Sequence, residues 1–205
     1  MMKLLKNKNG FTLFEVVAMM IFFSLFALVA PFPVDKKGTT VTQRHQTEST
    51  KQNEFYIKDN ANLLSGYASD RISEKSKQLD LSSKAQIVIE TLPSTNGQDI
   101  EGYSSKRFKE LELNKKFNNG VLIVIALKEK VACVEVGYGL NEILSNDELD
   151  RIVREKGLTR FEAQDFEKGI TDTYFAIVEK ISKEYKPSTR KGYSEYRTGI
   201  TVKWK

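Results

Sequence analysis

Asn118-Asn119-Gly120-Val121-Leu122-Ile123-Val124-Ile125-Ala126-Leu127-Lys128-Glu129-Lys130-Val131-Ala132-Cys133-Val134-Glu135-Val136-Gly137-Tyr138-Gly139-Leu140 is the stretch that decides the fold. It reads as two strands, Gly120 to Leu127 and Val131 to Gly137, joined by the charged turn Lys128-Glu129-Lys130. The first is apolar at successive positions, so both its faces are covered, whereas a strand with one wet face would alternate. Such a strand belongs in the middle of a sheet with helices on both sides. The second ends in Gly137-Tyr138-Gly139, where the glycines allow positive φ or a close approach of the backbone. A Gly-rich turn at the end of a strand is a place where α/β proteins hold ligands.

Upstream, Ala85 to Thr91 is a further strand, closed by Pro93 and the turn residues Ser94-Thr95-Asn96-Gly97. Phe55-Tyr56-Ile57 is a short strand before it. Ser65 caps a helix over residues 66–80, with Ala68, Ile72 and Leu79 along one side. A second helix spans about Asp99 to Leu113, with Ile100, Tyr103, Phe108 and Leu111 at near-helical spacing. Downstream, Asn146-Asp147-Glu148 opens a helix with Asn146 as its cap, and Gly157 stops it. The longest helix runs from about Asp165 to Tyr185, with Phe166, Ile170, Tyr174, Ile177 and Ile181 in one stripe, and Pro187 lies beyond it. This alternation makes the domain an α/β sandwich.

Charge is unevenly placed. Residues 186–205 hold six bases and one acid, which accounts for the whole net charge of +5. Residues 1–185 are therefore neutral overall, and nucleic-acid binding has no support from charge. The lone cysteine, Cys133, excludes an internal disulfide and reads as a small buried apolar residue. The lone histidine, His45, lies in a polar stretch, which removes a Ser-His or Cys-His pair from the domain. Glu135 is mid-strand, so it either faces solvent near an edge or, as the favoured expectation, pairs with a base.

The first ten residues form a short basic leader, and residues 11–34 carry a single charge, Glu15, and are long enough to span a bilayer as one transmembrane helix. Lys3, Lys6 and Lys8 hold the amino terminus in the cytoplasm, so the remainder is expected on the extracytoplasmic, periplasmic side of the inner membrane. Gly10-Phe11-Thr12-Leu13-Phe14-Glu15 resembles a type IV prepilin signal, which implies cleavage after Gly10, methylation of Phe11 and a partner subunit for Glu15. Residues 35–53 are polar and read as a linker. The basic tail, 186–205, ends in alternating Ile200, Val202 and Trp204, which suit either an edge strand or an anionic membrane surface.

Blocks spread over about residues 54–182, within an expected domain of residues 54–185, resemble the TPM domain family: Tyr56-Ile57-Lys58-Asp59 with Leu63-Leu64-Ser65, Asp99-Ile100-Glu101 with Tyr103, Asn119-Gly120-Val121-Leu122, Glu135-Val136-Gly137-Tyr138-Gly139-Leu140, and Phe161 with Asp165-Phe166 and Gly169-Ile170. The resemblance implies a three-layer α/β/α sandwich with a mixed central sheet outside the cytoplasm. It also implies two activities found among members: an acid phosphatase using a divalent cation, or an accessory and assembly factor. This chain departs from the family pattern where Asn118, Asn141 and Asn146 stand at positions that often carry acids.

Calcium and similar hard cations take oxygen ligands from separate loops. Asp59, Asn119, Glu142, Asn146 and Asp147 are expected to converge on one such cation, with Gly137, Tyr138 and Gly139 as the ligand-binding turn. Structural duties compete with that reading: a turn at Asn119, capping at Asn146 and Asp147, and an Asx-turn at Asp59. No catalytic residue is assigned; an enzyme on this scaffold would be a phosphatase. The leading expectation is a membrane-anchored binding or accessory module for envelope proteins, ahead of a metal-dependent phosphatase and of a pilin-like subunit.

Overall fold

The computed structural model describes residues 55–186 and 199–205. The expected transmembrane helix, prepilin-like signal and linker lie outside these residues. No helix among the described residues is long and apolar enough to cross a membrane.

In chain order the elements are β1 Ile57–Asp59, α1 Gly66–Ser83, β2 Gln86–Leu92, α2 Ile100–Leu111, β3 Gly120–Ala126, β4 Val131–Val136, a 3₁₀ turn Tyr138–Leu140, α3 Asn146–Ile152, a π-helical turn Val153–Leu158, α4 Thr159–Glu162, α5 Phe166–Glu184 and β5 Ile200–Lys203. They form a five-stranded sheet in the order β1-β2-β3-β4-β5. The first three strands are parallel, and β4 and β5 run antiparallel to their neighbours. This is the mixed sheet that the resemblance implies. Each β3 residue is buried, as its unbroken apolar run requires.

Alternation sorts the strand side chains into two layers. Ile57, Ile87, Ile89, Val121, Ile123, Ile125, Val134 and Val202 pack with Ile72 and Leu79 of α1 and Ile170, Tyr174, Ile177 and Ile181 of α5. Val88, Leu92, Leu122, Val124, Val131 and Cys133 pack instead with Ile100 and Phe108 of α2. Two long helices thus share one face, and a single 12-residue helix covers the other.

Several expectations shift. The first strand begins at Ile57, after Phe55 and Tyr56. The cap of α3 is Ser145, whose Oγ accepts from Glu148 N, and Asn146 is the first helical residue. Gly157 does not stop that helix; the backbone continues through a π turn into α4. A side chain there would approach Thr173 Oγ1 to 2.9 Å, so close packing on α5 explains this glycine. The tail ends as edge strand β5, with Val202 and Trp204 buried in the α5 layer.

Candidate functional site

Helical spacing gives α2 three working stripes. Ile100, Ser104 and Phe108, four residues apart, are its buried seam against the sheet. Tyr103 and Arg107 fall on one flank, and Glu101, Ser105 and Lys109 on the other. Asp99 fixes the start by accepting from Gly102 N at 2.9 Å. Each flank meets a carboxylate rising from the sheet.

On the β1 side that carboxylate is Glu90, only 4% exposed. Arg107 Nε donates to its Oε2 at 2.7 Å and Tyr103 Oη donates to its Oε1 at 2.8 Å. Arg107 also reaches Glu110 through a terminal guanidinium nitrogen at 3.1 Å. Burial, reinforced by the bond to Glu90, pushes the Tyr103 phenol up to about 12, so it stays a donor at physiological pH. This network is the floor of a cleft of about 810 Å³ lined by β1, the end of β2 and α2, with Lys58, Asn60, Gln98 and Lys106 at its walls. The register sets Lys58 beside Glu90.

On the β5 side the carboxylate is Glu135, 1% exposed. Ser105 Oγ donates to its Oε1 at 2.8 Å. Glu135 forms no salt bridge among the described residues, so the expected pairing with a base is replaced by a hydroxyl. Burial, with Glu101 nearby, raises its carboxyl above the ordinary carboxylate range. Cys133, buried as expected, has its thiol pushed up to about 11 by burial, which leaves it unreactive.

The glycine turn occupies one end of the sheet. Val136 pairs with Val121, which brings Gly137-Tyr138-Gly139 over the start of β3. Gly139 N donates to Asn118 O at 3.0 Å. A side chain on Gly139 would run into Phe117 O and the Asn119 amide oxygen, so glycine there serves packing. Asn119 is 3% exposed, and its Nδ2 donates to Ser83 O and Tyr185 Oη. Tyr138 is 44% exposed.

Asp59 is at the opposite end. It lies level with Thr91, and through it with Ile125, whereas Asn119 precedes Gly120. Roughly 20 Å of strand separates the two. Its oxygens accept from Leu63 N, Leu64 N and Thr91 Oγ1, which closes the loop after β1 and gives this acid a structural role, through amides four and five residues on where an Asx-turn would use the amide two on. Glu142, Asn146 and Asp147 follow the glycine turn and are exposed. The five oxygens therefore do not form one set. Among the described residues no three His, Cys, Asp or Glu side chains stand close enough to hold a metal, and of the four candidate donors at the turn two, Asn119 and Asn146, are neutral amides. The donor set does not fit a divalent-cation centre, and no chemical step is routed through one.

Glu90, Tyr103, Arg107, Lys58 and Lys106 were not assigned to a site from the sequence, although Tyr103 and Lys58 stand in the blocks that carry the family resemblance. The available signal was one acid inside the apolar run Ile87 to Leu92, with an aromatic and an arginine four residues apart on the next helix.

The description of the TPM domain family matches residues 57–180. No match is found among curated proteins. Three solution structures share the fold. The N-terminal domain of a P. gingivalis protein is 23% identical with a TM-score of 0.61, over 67% of this chain and 88% of that one. The BA42 protein of the psychrophilic bacterium Bizionia argentinensis is 20% identical with a TM-score of 0.52, over 60% and 83%. The N-terminal domain of the cg2496 protein of Corynebacterium glutamicum is 12% identical with a TM-score of 0.50, over 79% and 90%.

Proposed function

Because the chain belongs to the TPM domain family, we propose that it works as a binding module for envelope proteins, held at the membrane by residues 11–34 and docking its partner at the α2 cleft. The observation that carries this reading is the cleft floor. Glu90, Tyr103 and Arg107 satisfy one another, so the surface is shaped and charged, yet it presents no activated nucleophile or base. Binding needs the first property, and turnover needs the second. The apolar run from Phe11 and the leader lysines support export and anchoring, and Gly10 and Glu15 support processing by a prepilin-type peptidase.

The test is site-specific photo-crosslinking of the full chain in its native cell, with the reactive residue at Lys106 beside the cleft or at Lys168 on α5. Discrete protein adducts from position 106 and none from 168 are expected. Equal labelling, or none at 106, contradicts the reading. Hydrolysis of p-nitrophenyl phosphate with calcium, magnesium or manganese, lost in Asp147→Ala, would instead establish the phosphatase reading.

A further inference from the structure

The chemistry of the cleft says what kind of group it receives, an inference that rests on the binding reading above. Arg107 is held at two points: Nε on Glu90 and Nη1 on Glu110. Its side chain is 17% exposed, so the guanidinium is pinned in the wall, while Nη2 has no partner among the described residues. A guanidinium whose plane is fixed by a buried carboxylate presents its remaining N–H groups without further ordering cost. Lys58 projects from the neighbouring strand on the same face, level with Glu90, and its ammonium has neither ion pair nor hydrogen bond among the described residues.

The charge count selects among anions. The lining includes three bases, Lys58, Lys106 and Arg107, and three acids, Asp59, Glu90 and Glu110. Asp59, however, points to the other face of the sheet, where two backbone amides and Thr91 occupy it. Two carboxylates then oppose three bases, a surplus of one positive charge. One carboxylate neutralises that surplus, whereas a phosphate dianion would be left unbalanced beside Glu90 and Glu110. The volume, about 810 Å³, far exceeds a lone carboxylate and suits a short peptide. Gln98 and Asn60 offer amide groups matched to peptide amides, and β1 is the edge strand of the sheet among the described residues.

We propose that the α2 cleft binds the free C-terminal carboxylate of an extended peptide, seated between Arg107 Nη2 and Lys58 with the preceding residues along Gln98 and Asn60.

The experiment titrates the ¹⁵N-labelled full chain with acetyl-trialanine carrying a free carboxylate, with its carboxamide, with sodium acetate and with inorganic phosphate, reading the Arg107 Nε–H resonance and the α2 amides. The free acid is expected to saturate and shift both, and the carboxamide to bind about tenfold or more weakly. Acetate should shift Arg107 Nε–H at far higher concentration, and phosphate should bind less tightly than the peptide. Lys58→Ala, which removes a partly exposed side chain with no partner among the described residues, should keep the fold and weaken the free acid about tenfold. Arg107→Lys, keeping the charge and losing the fork, should weaken it too. Equal binding of acid and amide, tighter binding of phosphate, no binding of any peptide, or an unchanged affinity in Lys58→Ala each overturns the proposal. If crosslinking at position 106 persists in that case, the carboxylate assignment alone falls; if it also fails, the binding reading falls with it.

Discussion

Beneath α1 and α5 the sheet meets Ile72, Ile170, Tyr174, Ile177 and Ile181, and the buried polar side chains enclosed with them, such as Ser73, Ser76, Thr173 and Asn119, are uncharged. Beneath α2 it meets Phe108 and Ile100, and the same depth encloses two carboxylates, Glu90 and Glu135. The two faces divide the work of the fold. Seven of the 19 residues of α5 are buried, against three of the 12 in α2. The α5 face is secured by packed area, which is tolerant of pH and salt. The α2 face depends partly on satisfied charges, which are costly to enclose and useful for recognition.

The largest effect should come from the packed face. Ile170→Ala, at a fully buried position, is expected to cost about 3–4 kcal/mol in urea unfolding. Next is Arg107→Ala, which strands Glu90 in the sheet; about 2–3 kcal/mol is expected at neutral pH. If it cost more than Ile170→Ala, the assignment of stability to the α5 face would be reversed.

Glu135 should show the opposite sign. Its folded carboxyl is raised chiefly by burial, so the folded state binds this proton more tightly than the unfolded chain does. The resulting stability is present below the ordinary carboxylate range and declines as pH rises through the raised folded value. Glu135→Gln removes that decline and should gain about 1 kcal/mol above neutral pH. Thermal melts of both proteins across pH 4–8 decide it, since parallel curves would mean that Glu135 is not desolvated. The smallest change is expected of Arg151→Ala, whose pairs with Glu148 and Glu155 are exposed; its melting should match the parent within about 0.5 kcal/mol.

The elements were largely legible in the sequence, because unbroken apolar runs and helical stripes are local signals. The strands from Gly120 and Val131, the Ser65 cap and the long helix after Asp165 all stand where their residues place them. Local signals failed where packing overruled them: Gly157 carries the chain through a π turn against Thr173, and Ser145, next to Asn146, takes the cap. The site was less legible because convergence is a property of topology. Asp59 and Asn119 both flank strands, yet the parallel order of β1, β2 and β3 sets them at opposite ends. Glu90 reads locally as one acid among isoleucines, and its meaning appears once α2 lays Tyr103 and Arg107 across it.

The division between the faces is tested most directly by native-state amide hydrogen exchange of the full chain, following α2 and α5 through increasing urea. The account predicts that amides in the buried half of α5 exchange through global unfolding, while those of α2 open at lower free energy and become protected when the cleft is occupied. Equal protection of the two helices, merging with the global transition at every urea concentration, would contradict it.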